Sequence, residues 1–195
     1  METQRLAPPA HELQVHAHLR GREFRFVTTW GLFHPKGIDA GTALLLERLE
    51  VSQDARVLDL GCGWGPIGVT LSHLVPGGHV HMVDKDFVAV EYAQRNAAAN
   101  GCSNARAYLS NGFSHIPAEQ RFDLVVSNIP AKVGGELLQY WMTESHRRLH
   151  PGGAIWVVTV AGLKDYVKRV FSETFGNHRK VKQSGTHVVA MAVRS

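Results

Sequence analysis

Between His11 and Thr29 apolar and polar positions alternate: Leu13, Val15 and Ala17 in one run, Phe24 and Phe26 in the next, with "RGRE" between them. A period of two broken by a turn predicts a β-hairpin. "GLFHPKGIDAG" carries the glycine and proline punctuation of a loop. "GTALLLERLEV" then spaces its leucines for a helix, with Thr42 placed to cap it.

From there short apolar runs alternate with helical periods. The predicted strands are "RVLDLG", "HVHMVD", "ARAYLSNGF", "RFDLVVSNIP" and "AIWVVTV". The helices between them are "PIGVTLSHLVPGG", starting after Pro66 and stopping before Pro76, "DFVAVEYAQRNAAANG", stopped by Gly101, and "GGELLQYWMTESHRRLHPGG", closed by its proline and glycines. "LKDYVKRVFSETFG" is amphipathic, and "NHRKVKQSGTHVVAMAVRS" reads as two strands around "QSGT". Such alternation predicts an α/β fold, a parallel sheet with helices on both faces. Nothing divides the chain, so 1–195 is read as one domain, a hairpin extension over 1–30 followed by a core over 31–195.

The 195 residues are 44% hydrophobic and 19% charged, a composition that excludes a disordered chain. No apolar run approaches the roughly 20 residues of a bilayer span, and the first residues lack a secretory pattern, so a cytoplasmic location is expected with no membrane partner. Cys62 and Cys102 alone make no disulfide framework. His16 and His18, like His79 and His81, share a strand face but have no further ligand at zinc spacing, so no metal is expected. A net charge of +4, with basic residues gathered at Arg20, Arg22, Arg25 and Lys36 and again from Lys164 to Lys182, suits either a solvated face or an anionic partner.

Chemistry concentrates in "VLDLGCGWGPIGVTL", Val57 to Leu71, where four glycines follow Asp59. Glycine is costly inside regular structure, and its use here points to something approaching the backbone closely. Gly63, Gly65 and Gly68 satisfy the dinucleotide fingerprint, but Asp59 would repel a pyrophosphate and Pro66 interrupts the pattern. Asp59-x-Gly61-x-Gly63-x-Gly65 instead resembles the first motif of class I S-adenosylmethionine-dependent methyltransferases. A carboxylate there suits a cationic methionine end. Asp84, coming off the second core strand, can accept from ribose hydroxyls, while Asp84 or Asp86 could equally cap the next helix. Asn111, before Gly112, is either a base-edge contact or a turn residue.

"SNIPAKVGG" follows the fourth core strand. The family's methyltransferases of planar amines carry N-P-P-[F/Y] here; Asn128 and Pro130 match, whereas Ile129 and Ala131 do not. If the Asn128 side-chain oxygen and the Ile129 carbonyl each accept one amine hydrogen, the nitrogen lone pair can be aimed at a methyl group, with Pro130 restraining Ile129. Ala131 cannot stack on a base, so another ring must, and Trp30, Phe33, His34 and Trp64 are the candidates. "GLFHPKGIDAGTALLLERL" resembles the methyltransferase small domain group, whose members include bacterial ribosomal RNA guanine-N2 methyltransferases.

That resemblance, running from about Gly31 to Gly153, implies a Rossmann-like seven-stranded sheet whose last strand is antiparallel. S-adenosylmethionine would be held by Asp59, Gly61, Cys62, Gly63, Gly65, Asp84, Lys85, Asn111 and Gly112, with Phe33 and Thr42 beside it. Phe33, His34, Trp64 and Ala131 would face the substrate, and Asn128, Ile129 and Pro130 would do the positioning. The partner implied is ribosomal RNA, acted on by a monomer or weak homodimer. A methyltransferase for a protein amide or small molecule, a non-catalytic RNA-binding protein on the same fold and a nicotinamide oxidoreductase remain as alternatives.

Overall fold

The computed structural model describes residues 11–195. Residues 1–10, where no secretory pattern was read and where the 1–30 extension begins, lie outside the described residues. Strands β1 (Glu12–Leu19) and β2 (Arg22–Thr29) pair antiparallel as their own two-stranded sheet, leaving Arg20 and Gly21 as the turn.

The main sheet has seven strands: β3 (Arg56–Leu60), β4 (His79–Asp84), β5 (Ala105–Leu109), β6 (Phe122–Asn128), β7 (Leu149–Val160), β8 (Arg179–Gln183) and β9 (His187–Val193). Their order is β5-β4-β3-β6-β7-β9-β8, parallel from β5 to β7, with β9 antiparallel to both its neighbours. The chain steps outward from β3 to β5 and returns to β6 on the other side of β3. Ligands in open α/β sheets bind in the crevice at such a reversal, beyond the carboxyl ends of the strands.

Helices α1 (Ala40–Arg48), α2 (Pro66–Leu74) and α3 (Phe87–Ala99) cover one face. Helices α4 (Gly135–Arg148) and α5 (Lys164–Phe175) cover the other. Val57, Val80 and Met82 point into the first layer, and Leu58, Leu60 and Val83 into the second. Burial on both faces is why these strands read as unbroken apolar runs.

Two boundaries differ from the sequence reading. The segment "LHPGG" does not close α4 but opens β7, because Leu149 already pairs with Phe122 and the register slips before Ala154 meets Leu124. Helix α1 is capped by Asp39, whose carboxylate accepts from the Thr42 amide at 3.0 Å; Thr42 itself lies inside the first turn.

The hairpin is held to the core by packing and by an amide ladder. Phe24 and Phe26 are almost fully buried, each contributing about 2 kcal/mol of transfer free energy. Two asparagines, Asn96 on α3 and Asn100 at its C-cap, face the free edge of β2. Asn96 accepts from the Val27 amide and donates to the Val27 carbonyl, both at 2.8 Å. Asn100 accepts from the Arg25 amide at 3.1 Å and donates to the Arg25 carbonyl at 2.8 Å. The register works because four helical residues rise about 6 Å while two strand residues rise about 6.8 Å. Asn96 also donates to the Trp64 carbonyl at 2.8 Å, which ties the hairpin to the loop after β3.

Candidate active site

The carboxyl ends of β3, β4 and β6 and the N-terminal side of α1 surround a cavity of about 620 Å³, within the usual range for a small-molecule site. Its floor is the loop after β3. The amides of Gly61 and Cys62 both donate to the Val83 carbonyl, at 2.8 and 2.9 Å, which fixes the loop against β4. Gly61 and Gly63 line the cavity. At Gly63, with φ of 55°, a side-chain carbon would meet no protein atom within 4 Å. That space is open cavity.

The other two glycines answer to the protein. A side-chain carbon at Gly65 would lie 3.1 Å from the Ala93 backbone, and one at Gly68 would lie 2.3 Å from Met82. They let α2 press onto α3 and β4, so half of the glycine signal is packing.

Asp59 does not line the cavity. It is fully buried beneath the loop, where one carboxylate oxygen accepts from the Gly68 amide at 2.8 Å and the other has no partner among the described residues. Burial pushes its carboxyl up to about 7, against the Gly68 hydrogen bond and with some help from the Asp84 charge. A contact with a ligand's cationic end would therefore have to pass through the loop above it.

Asp84 lies at the cavity wall, and Asp86 takes the capping role that was open to either residue. One Asp84 oxygen accepts from the Gly63 amide at 2.9 Å and the other from the Asp86 amide at 3.0 Å. Each oxygen keeps a lone pair for a hydroxyl. Lys85, Ser110, Asn111 and Gly112 continue the wall, and among the described residues Asn111 is hydrogen-bonded only through its backbone, to Ser114.

Against Gly112 lies Trp141, whose indole nitrogen is buried without a hydrogen-bond partner among the described residues. Bare backbone at Gly63, two hydroxyl-ready oxygens on Asp84 and this unpaired donor fit a ligand with a ribose and a polar base, such as S-adenosylmethionine.

At the end of β6, Asn128, Ile129, Pro130 and Ala131 all line the same cavity. The Asn128 amide nitrogen donates to Asp39 Oδ2 at 2.9 Å and to Thr42 Oγ1 at 3.0 Å. Its Oδ1 and the Ile129 carbonyl accept no bond from the described residues.

The candidate rings separate by whether they are exposed and whether they reach the cavity. Trp64 touches the cavity but is only 2% exposed, packs edge-on against Phe26 and donates to the Phe33 carbonyl at 2.9 Å. His34 is turned away and, with Trp30, Pro35 and Lys36, frames a separate shallow depression. Phe33 is 64% exposed and lines the cavity. It is the ring free to stack.

Asp39, Trp141 and His187 also border the site. His187 arrives from β9, more than a hundred residues after the glycine loop, and no local pattern could place it. Arg20, read as part of a basic rim, donates to the Leu46 and Glu47 carbonyls at 3.1 Å and so serves the end of α1. Among the described residues no cluster of metal-ligating side chains is present, and no helix is long and apolar enough to cross a membrane.

Residues 23–191 match the family model of the methyltransferase small domain. The Bacillus subtilis protein YbxB is 33% identical over 141 residues, 72% of this chain and 70% of its own. The ribosomal RNA small subunit methyltransferase C of Cronobacter sakazakii is 35% identical over 167 residues, covering 84% of this chain and 47% of that protein. A Thermus thermophilus 16S ribosomal RNA N2 G1207 methyltransferase, solved with S-adenosylmethionine and guanosine, superposes with a TM-score of 0.86 at 28% identity, covering 97% of this chain and 52% of that one. The chain thus spans about half the length of the ribosomal RNA methyltransferases it matches.

Proposed function

The chain belongs to the methyltransferase small domain family, and from that premise we propose that it transfers a methyl group from S-adenosylmethionine to the exocyclic amine of a guanine in ribosomal RNA, in the cytoplasm. One observation carries the reading of an amine acceptor. Asn128 Oδ1 and the Ile129 carbonyl are two unpaired acceptors on adjacent residues, in the same cavity as the glycine loop and Asp84.

The cofactor, when bound, supplies an electrophilic methyl carbon on a positively charged sulfur. Gly61 and Gly63 would admit it against bare backbone, Asp84 would take the ribose hydroxyls, and Asn111 would meet the adenine edge. An exocyclic amine is a poor nucleophile because its lone pair is delocalised into the ring. Two acceptors that take its hydrogens turn the lone pair toward the electrophile and stabilise the positive charge growing on nitrogen. The proton is lost to water once the new C–N bond has formed. The base must leave its stack to enter, which costs a few kcal/mol and favours unpaired RNA. Phe33 at the mouth would recover part of that by stacking.

The test is transfer of labelled methyl to total RNA, with and without ribonuclease, beside Asn128→Ala. The reading expects ribonuclease-sensitive label, N2-methylguanosine in the digest, and loss of turnover in Asn128→Ala at unchanged S-adenosylhomocysteine affinity. Label that survives ribonuclease would point to a protein or small-molecule substrate. No affinity for the cofactor would leave a non-catalytic RNA-binding protein.

A further inference from the structure

A single oxygen atom links the start of α1 to the end of β6. Asp39 Oδ2 accepts from the Thr42 amide as the helix cap, at 3.0 Å, and from the Asn128 side chain at 2.9 Å. Thr42 Oγ1 takes the second hydrogen of the same amide at 3.0 Å. The two ends of an asparagine amide are nearly identical in shape, and its partners decide which way round it sits. An ionised aspartate can only accept. Turning the Asn128 amide over would set its oxygen against a carboxylate oxygen, so one orientation is forced: both hydrogens spent on α1, and Oδ1 left on the cavity wall.

We infer that Asp39 is a positioning residue for the methyl-accepting site, holding the Asn128 amide so that Oδ1 is presented to the incoming amine. This rests on the acceptor-amine reading above. The packing around Asp39 serves the same end. A side-chain carbon at Gly41 would lie 2.9 Å from Asp39 Oδ2 and 2.8 Å from the His187 ring. The bare position lets the Asp39 carboxylate and the His187 ring of β9 both lie close against the first turn of α1. The N-terminal turn of α1, some ninety residues from Asn128 in sequence, thereby becomes part of the acceptor site.

Three substitutions separate this role from simple helix capping. Asp39→Ser keeps a good cap, since serine caps about as well as aspartate, but cannot reach Asn128. Asp39→Asn can cap and still offer an oxygen to Asn128. Gly41→Ala crowds the carboxylate without removing it. We expect kcat to fall about 100-fold in Asp39→Ser, the scale of a misplaced reacting group, with the KM for S-adenosylmethionine within about twofold of wild type. Asp39→Asn should recover to within about fivefold, and Gly41→Ala should resemble Asp39→Ser.

A second readout needs no reaction. The Asn128 side-chain NH2 resonances, identified as the pair missing in Asn128→Ala, should exchange slowly with solvent in wild type and Asp39→Asn. They should exchange at least tenfold faster in Asp39→Ser and Gly41→Ala. Unchanged exchange in both of the latter overturns the inference whatever the activity, and so does lost protection at undiminished kcat. If wild type methylates nothing, the proposed function fails, and the exchange contrast alone still decides whether Asp39 orients Asn128.

Discussion

Gly63→Ala is the most direct probe of the space above the loop. With φ of 55° the position is left-handed, where any side chain costs roughly 1–2 kcal/mol. Gly101 is a matched control: its φ is 72°, nothing lies within 4 Å of an added carbon, and it sits at the end of α3 away from the cavity. Both alanines should therefore lower the melting temperature by about 2–8 °C, at about 2–4 °C per kcal/mol for a domain this size. They part at the cavity. Only at Gly63 does the new methyl enter the cavity, so S-adenosylhomocysteine binding should weaken at least tenfold, about 1.4 kcal/mol or more. Gly101→Ala should leave it unchanged. Calorimetric titration of the two variants beside wild type decides the matter. Equal affinities for the two would mean that the space above Gly63 is not where the cofactor lies.

Other expectations concern single side chains. Asp59 rises from its ordinary 3.8 to about 7 on folding, so between those values the folded chain holds a proton that the unfolded chain has released. Stability then falls as pH rises across that window, by up to roughly 4 kcal/mol at about 1.4 kcal/mol per pH unit. Asp59→Asn removes this dependence, and urea unfolding at low and neutral pH should show its advantage over wild type growing with pH; a constant difference refutes it. Phe33→Ala should weaken guanosine binding to the S-adenosylhomocysteine-loaded protein by roughly 1–3 kcal/mol, while Trp30→Ala, outside the cavity, leaves it unchanged; equal losses would deny Phe33 its stacking role. Asn96→Leu strands the Val27 amide and two carbonyls without partners, at about 1–3 kcal/mol for each buried group, and chemical denaturation should show a loss of at least 3 kcal/mol.

The alternation of short apolar runs with helical periods carried the main sheet because burial on both faces writes itself into composition. Boundaries were less legible. Proline and glycine at 151–153 look like a helix stop, yet they sit in a bulged strand entry whose partners, Phe122 and Leu124, are distant in sequence. The glycine motif could be seen but not divided. Whether a bare position faces open cavity, as Gly63 does, or Met82, as Gly68 does, depends on neighbours from another strand. Asp59 shows the same limit, since its place in a motif says nothing of its burial. Asn128 and Ile129 could be singled out together because they are adjacent, whereas Asp39 and His187 join them at the cavity only through the sheet order.

The ladder from α3 to β2 has a consequence for assembly and for coupling. A strand edge usually invites a second chain to pair with it, but here the Arg25 and Val27 groups are already answered by asparagines of the same molecule. Copies of the chain cannot zip together along that rung without first stripping it. The same Asn96 also grips the Trp64 carbonyl, so whatever pulls on the hairpin from outside tugs the glycine loop after β3 through one planar amide.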